Sequence, residues 1–123
     1  MCGKSVLLVD DEELTRYAIR LLLENLGHKV YEVAGGAEAL EFLRKQRRPD
    51  LIVLDHNMPN MTGAQTLRQL RLEGQDLPVL LATGHLDLET EKLLKGDLRT
   101  CYIGKPFVLD ELNRAIGTLL LMS

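Results

Sequence analysis

Five side chains able to do chemistry stand where short apolar runs end abruptly. Asp10 and Asp11 follow Ser5 to Val9, Asp55 follows Leu51 to Leu54, Thr83 follows Val79 to Ala82, and Lys105 follows Cys101 to Gly104. Gathered in one crevice, three carboxylates would repel one another. Each close pair costs about 4 kcal/mol at roughly 4 Å and an effective dielectric of about 20, more than one lysine can offset. A hard divalent cation can offset it, and an all-oxygen donor set suits Mg²⁺ better than Zn²⁺, which prefers His and Cys. Around such an ion a carboxylate can attack phosphorus, with Lys105 and Thr83 meeting the remaining phosphoryl oxygens. The product adds about 1.5 to 2 negative charges beside Thr83, enough to reposition its hydroxyl and loop.

Convergence of these residues requires a particular arrangement of elements. After the first strand, Leu14, Tyr17, Ala18 and Leu21 recur at helical spacing, and Gly27 supplies a stop. Lys29 to Val33 reads as a second strand. Ala37, Leu40 and Leu43 give a helical face after Gly35-Gly36, which Pro49 ends. Leu51 to Leu54 is the third strand, followed by a loop from Asp55 to Thr62 and a helix carrying Ala64, Leu67 and Leu70. Pro78 opens the fourth strand, Leu86 to Lys95 is helical by propensity, and Gly96 to Thr100 reads as loop. Cys101 to Gly104 is the fifth strand, closed by a helix with Leu109, Leu112, Ile116 and Leu119 on one face.

Five alternating strand–helix units predict right-handed crossovers and a single doubly wound, five-stranded parallel α/β sheet with five helices. In such sheets ligands bind beyond the carboxyl ends of the strands at a topological switch point. With strand order 2-1-3-4-5, the second strand, ending in Val33-Ala34, lies at the edge. The four strands with polar ends then lie side by side.

The 123 residues suffice for one domain with a real core, and 46% hydrophobic against 27% charged residues is a globular balance. A formal net charge of −3 argues against broad contact with a nucleic-acid backbone. Arg44, Lys45, Arg47 and Arg48 form the one basic cluster and are expected to cap a helix end. No apolar run is long enough to span a bilayer and no signal peptide opens the chain, so a cytoplasmic location is expected. Cys2 and Cys101 have no metal-type spacing and read as free thiols. His28 reads as a solvated turn residue, and Gly3-Lys4-Ser5 as an accidental fragment of a phosphate-loop pattern.

Singly, each chemical residue has a plainer explanation. Asp10 and Asp11 could be acids at a helix N-terminus, Asp55 a turn residue, Thr83-Gly84 a loop start and Lys105-Pro106 a surface pair. Their coincidence at four strand ends defeats these readings. Val9-Asp10-Asp11-Glu12, the run from Asp55 to Gly63 (DHNMPNMTG), Ala82-Thr83-Gly84 and Lys105-Pro106-Phe107 together resemble the receiver-domain signature of two-component response regulators, the chemotaxis regulators included. The resemblance spans residues 1–123 as one receiver domain.

That resemblance implies a flavodoxin-like fold, Asp55 as phosphoacceptor, and Mg²⁺ held by Asp10, Asp11, Asp55 and the backbone carbonyl of Asn57. It implies that Thr83 and Lys105 contact the phosphoryl group and that Lys105-Pro106 is cis. A sensor histidine kinase or histidine phosphotransfer protein is the implied donor. Thr83 and Tyr102 are implied to move together, changing the surface of the fourth helix, fifth strand and fifth helix. That surface would signal to an effector protein or an output domain, and a phosphorylation-driven homodimer is compatible with it. The module would catalyse only its own phosphorylation and slow self-dephosphorylation.

The sequence departs from the pattern twice. Gly96 to Cys101 lacks the usual Gly-Ala motif, which predicts an irregular or mobile fourth-helix surface. Gly84 replaces a common Ala, and His85 stands near the expected path of water, leaving the dephosphorylation rate open. Two other functions compete. A Mg²⁺-dependent phosphohydrolase with an aspartyl nucleophile needs a second acid two residues on, where this chain has Asn57. An inert interaction module would not need the full set of acids, Thr83 and Lys105.

Overall fold

A computed structural model describes residues 3–45, 48–97 and 99–121. The elements alternate as β1 (Ser5–Val9), α1 (Glu13–Asn25), β2 (Lys29–Val33), α2 (Gly36–Arg44), β3 (Leu51–Asp55), α3 (Gly63–Leu72), β4 (Val79–Thr83), α4 (Leu88–Lys95), β5 (Thr100–Gly104) and α5 (Leu109–Leu121). The five strands form one sheet in the order β2-β1-β3-β4-β5, and every pairing is parallel. This is the doubly wound architecture expected from the sequence.

Burial on both faces explains the unbroken apolar strands. In β3, Ile52 and Leu54 face a core shared with Leu40, Leu43, Leu67 and Leu70 of α2 and α3. Leu51 and Val53 face the opposite core, built with Ile19 and Leu23 of α1 and Leu112 and Ile116 of α5. Each fully buried leucine contributes about 1.5–3 kcal/mol relative to exposure. Among the described residues, no helix is long and apolar enough to cross a membrane.

Local chemistry sets the ends of the helices. Gly27 and Gly74 take positive φ values of 91° and 83° just past α1 and α3, conformations that favour glycine. Thr62 and Gln65 form a reciprocal capping box at the start of α3. Asp87 accepts the Thr90 N–H at 2.7 Å, so α4 begins at Leu88 rather than at Leu86.

The expected faces of two helices need correction. In α1 the predicted core residues Leu14, Tyr17 and Leu21 are 81%, 58% and 47% exposed, and Ala18 is exposed too. The buried face is Ile19 and Leu23, flanked by Leu22 and Leu26. This helix has two apolar stripes, and the short β1–α1 connection sets its phase so that the second meets the sheet. In α2, Ala37 is exposed and Ala39 takes the core position. That helix stops at Arg44, well before Pro49.

Further contacts add to four smaller expectations. Arg44 lies in the last turn of α2 and Lys45 at its C-cap, as expected, and Arg44 also pairs with Glu73 at 2.5 Å and Arg48 with Asp76 at 2.9 Å, tying elements together. His28 is half-buried: its Nδ1 accepts the Lys4 N–H at 3.0 Å and its Nε2 is buried with no hydrogen-bond partner among the described residues. Ser5 donates its N–H to Asp50 at 2.7 Å, using the Gly3-Lys4-Ser5 segment to anchor β1. The stretch after α4 is clamped: Arg71 pairs with Asp97 at 2.7 Å and donates to the Leu77 carbonyl at 2.8 Å and Thr100 Oγ1 at 3.1 Å. Cys101 is half-buried on β5, whereas Cys2 and Arg47 lie outside the described residues.

Candidate functional site

The register of the sheet aligns the polar strand ends. Val9 pairs with Leu54, Asp55 with Ala82, and Thr83 with Gly104, so Asp10, Asp55, Thr83 and Lys105 project from the same edge of four adjacent strands. Asp10 is only 1% exposed, and Asp55 and Thr83 are likewise buried. One ligand oxygen each of Asp10, Asp11 and Asp55 lies within 4.8 Å of the others, with Asp11 on the exposed side.

Lys105 reaches into this hollow from the loop after β5. Its Nζ donates to Asp55 Oδ1 at 2.6 Å and lies 3.8 Å from Asp10 Oδ2. The following Lys105-Pro106 bond is cis, as the resemblance implied. The Asn57 N–H approaches Asp55 Oδ1 at 3.4 Å, which places Asn57 at the rim.

Asp10 carries the sharpest electrostatic tension. Burial raises its pKa above 3.8, and the charges of Asp55 and Asp11 push in the same direction. The Glu12 N–H, donated to Oδ1 at 2.9 Å, and the Lys105 charge act against that rise. Oδ2 is buried with no hydrogen-bond partner among the described residues. An orphaned anionic oxygen beside two further carboxylates is the donor chemistry a hard divalent cation satisfies, so these residues fit Mg²⁺.

Thr83 and Tyr102 stand apart from this cluster. The Thr83 hydroxyl donates to the His85 carbonyl at 2.7 Å and accepts the His85 N–H at 3.1 Å, closing on its own loop. Tyr102 is 52% exposed on β5, beside a groove lined by Glu111, Arg114, Ala115 and Thr118 of α5. Gly63 sits against the backbone of the acidic strand end: an added Cβ would lie 2.6 Å from the Asp55 carbonyl and 2.7 Å from His56 Cα. Reading the sequence missed Arg16, which donates to the Asp10 carbonyl at 2.8 Å, and Glu32, which holds Arg16 at 3.2 Å. An arginine in the helix after the acids was the available signal, but nothing in sequence reveals which carbonyl it meets.

A parallel doubly wound sheet with three acids and a lysine at the carboxyl ends of its central strands defines a phosphoacceptor class of signalling domain. Comparison with known proteins agrees. The family model described as the response regulator receiver domain matches residues 6–117. Sporulation initiation phosphotransferase F of Bacillus subtilis is 33% identical over 122 residues, covering 94% of this chain and 93% of that protein. Among solved structures, Vibrio cholerae chemotaxis protein CheY4 superposes with a TM-score of 0.84 at 30% identity, covering 97% of this chain and 99% of that one. The receiver domain of a sensor histidine kinase from Pseudomonas aeruginosa, with a magnesium ion coordinated in its active-site cleft, gives a TM-score of 0.81 at 29% identity, covering 97% and 98%. The chain spans about half the length of other curated response regulators that it matches. It belongs to the response regulator receiver domain family, the phosphoacceptor module of two-component signalling.

Proposed function

We propose that Asp55 is the phosphoacceptor and that a histidine kinase or histidine phosphotransfer protein is the donor. The observation that carries this is the 2.6 Å contact between Asp55 Oδ1 and Lys105 Nζ, beside an Asp10 Oδ2 that accepts no hydrogen bond among the described residues. Asp55 supplies a carboxylate oxygen to phosphorus as the donor's N–P bond breaks, and the bonding electron pair returns to the imidazole nitrogen. Asp10, Asp11 and Asp55, with the Asn57 carbonyl, would hold Mg²⁺, which when bound neutralises charge on the phosphoryl oxygens. Lys105 balances a further phosphoryl oxygen, and the Thr83 hydroxyl turns from His85 toward the new charge. Tyr102 follows, and the α4–β5–α5 face presents a changed surface to an effector protein or output domain.

The donor reaches Asp55 over α1. Leu14 lines a cleft of about 620 Å³ between α1 and the loop after β5 that runs up to Lys105, and Tyr17, Leu21 and Val108 are further exposed apolar side chains of these two segments. A helix bearing the phosphohistidine fits this cleft through its apolar face. The domain's own catalysis is confined to forming and slowly hydrolysing its aspartyl phosphate. A phosphohydrolase reading lacks support, because Asn57 cannot serve as the general acid. A cytoplasmic location, where such donors present phosphohistidine, completes the reading.

Intact-protein mass spectrometry after incubation with phosphoramidate and Mg²⁺ tests this. One phosphoryl adduct is expected, lost in Asp55→Asn and on adding EDTA. Turnover of the phosphodonor without an adduct, or an adduct on Asp55→Asn, contradicts it.

A further inference from the structure

Asp10 is fixed at every polar atom but one. Its N–H donates to the Val33 carbonyl at 3.3 Å, its Oδ1 accepts the Glu12 N–H at 2.9 Å, and its carbonyl accepts Arg16 Nη1 at 2.8 Å. Only Oδ2 lacks a hydrogen bond among the described residues. The Asp10 carbonyl belongs to the peptide joining Asp10 to Asp11. Rotating that peptide plane re-aims both carboxylates, so the group that holds the carbonyl governs where both point.

Arg16 is itself braced. Its Nε donates to Glu32 Oε1 at 3.2 Å, and Glu32 Oε2 accepts Arg20 Nη1 at 2.6 Å. The Arg16 and Glu32 side chains are 20% and 26% exposed, whereas Arg20 stands further out at 42%. A guanidinium fork pre-organises two donations, here one to the β2 carboxylate and one to the acidic turn. The edge strand β2 ends in no polar residue at the crevice, yet through Glu32 it supports the crevice from behind.

We infer that Arg16, braced by Glu32, is a positioning residue of the divalent-cation site, fixing the Asp10–Asp11 peptide and thereby the aim of both carboxylates. The inference rests on reading Asp10, Asp11 and Asp55 as that site. Sign separates positioning from charge. Removing a cationic side chain near a bound cation strengthens binding by relieving repulsion, whereas removing a support weakens it.

Calorimetric titration of the full chain with Mg²⁺ alone tests this without any phosphoryl transfer. Arg16→Met keeps the aliphatic stem and is expected to weaken Mg²⁺ about tenfold, the scale of lost outer-shell support at metal sites. Arg20→Met, which removes the ion pairs to Glu24 and Glu32 without touching the Asp10 carbonyl, is expected to leave the Mg²⁺ dissociation constant within about twofold. Should Arg16→Met fail to fold, Arg16→Lys serves, because it keeps the positive charge and loses the guanidinium fork, with weakening again expected. Unchanged or tighter Mg²⁺ binding in that variant or in Arg16→Met, or equal weakening in Arg20→Met, overturns the inference and leaves the network as a staple between α1 and β2. Absence of Mg²⁺ binding by the unaltered chain removes the site reading itself.

Discussion

Asp10 enters the folded state with one carboxylate oxygen that accepts no hydrogen bond among the described residues and has the Lys105 ammonium 3.8 Å away. Because burial raises its pKa, the native state holds its proton more tightly than the unfolded chain does. Its contribution to stability is therefore fully present below the unfolded value of 3.8 and is lost as pH rises through the folded value. At neutral pH without a cation, the charged Asp10 is a cost that function tolerates. Asp10→Asn should raise the melting temperature in EDTA by about 4 °C or more, the scale of a gain of ~1 kcal/mol in a domain of this size. The same variant should lose most of the stabilisation that Mg²⁺ gives the unaltered protein; differential scanning calorimetry in EDTA and in Mg²⁺ reads both effects. At this scale the sequence was informative because Asp10, Asp11, Asp55, Thr83 and Lys105 all end apolar runs, and chain order alone brings strand ends together. Arg16 was not legible, since its partner is a backbone carbonyl that no residue type encodes.

Elements decide how firmly those side chains are held. The close approach of α3 to the end of β3 leaves no room for a Cβ at Gly63. Gly63→Ala should cost about 1–3 kcal/mol of stability by chemical denaturation, the usual cost of overpacking, and should slow adduct formation by displacing the Asp55 backbone. Elsewhere Arg44 of α2 donates to Glu73, just past α3, from Nε at 3.0 Å and Nη2 at 2.5 Å, holding the Glu73 pKa at about 2. Glu73 therefore adds stability above its unfolded value of 4.5, and that stability is lost as pH falls toward about 2. In Arg44→Ala the Glu73 pKa should rise from about 2 toward its ordinary value, with the Gln69 hydrogen bond still lowering it, as followed by carbon-detected NMR. The sequence misjudged α1 because its apolar residues wrap more than one stripe, and periodicity cannot choose between stripes. The choice came from the sheet, where Ile19 and Leu23 pack against Val6, Leu8 and Val53. The segment after α4, expected to be irregular, is held by Arg71, whose donors span Asp97, Leu77 and Thr100.

Across the whole molecule, the misassigned stripe of α1 acquires a purpose. Leu14 lines the cleft that opens on Lys105, with Tyr17 and Leu21 also left exposed on α1, while α4 packs on the opposite face of the sheet and α5 shares the face of α1. Input over α1 and output through α4 and β5 can then use different surfaces joined by the Asp55–Thr83 region. Leu14→Asp with Tyr17→Ala should slow phosphoryl transfer from a phosphohistidine protein at least tenfold, about 1.4 kcal/mol in the barrier, yet leave labelling by phosphoramidate unchanged. Equal slowing with both donors would place the defect in the site rather than on the docking face.

The claim beneath all of this is that one carboxylate among three receives the phosphoryl group. Borohydride reduction of the phosphorylated chain, followed by tandem mass spectrometry, reads it directly, because an acyl phosphate is reduced to an alcohol and a free carboxylate is not. Conversion of residue 55 alone to homoserine, dependent on Mg²⁺, is the expected result. Reduction at Asp10 or Asp11 instead, or at no aspartate after a phosphoryl mass has been recorded, would contradict it.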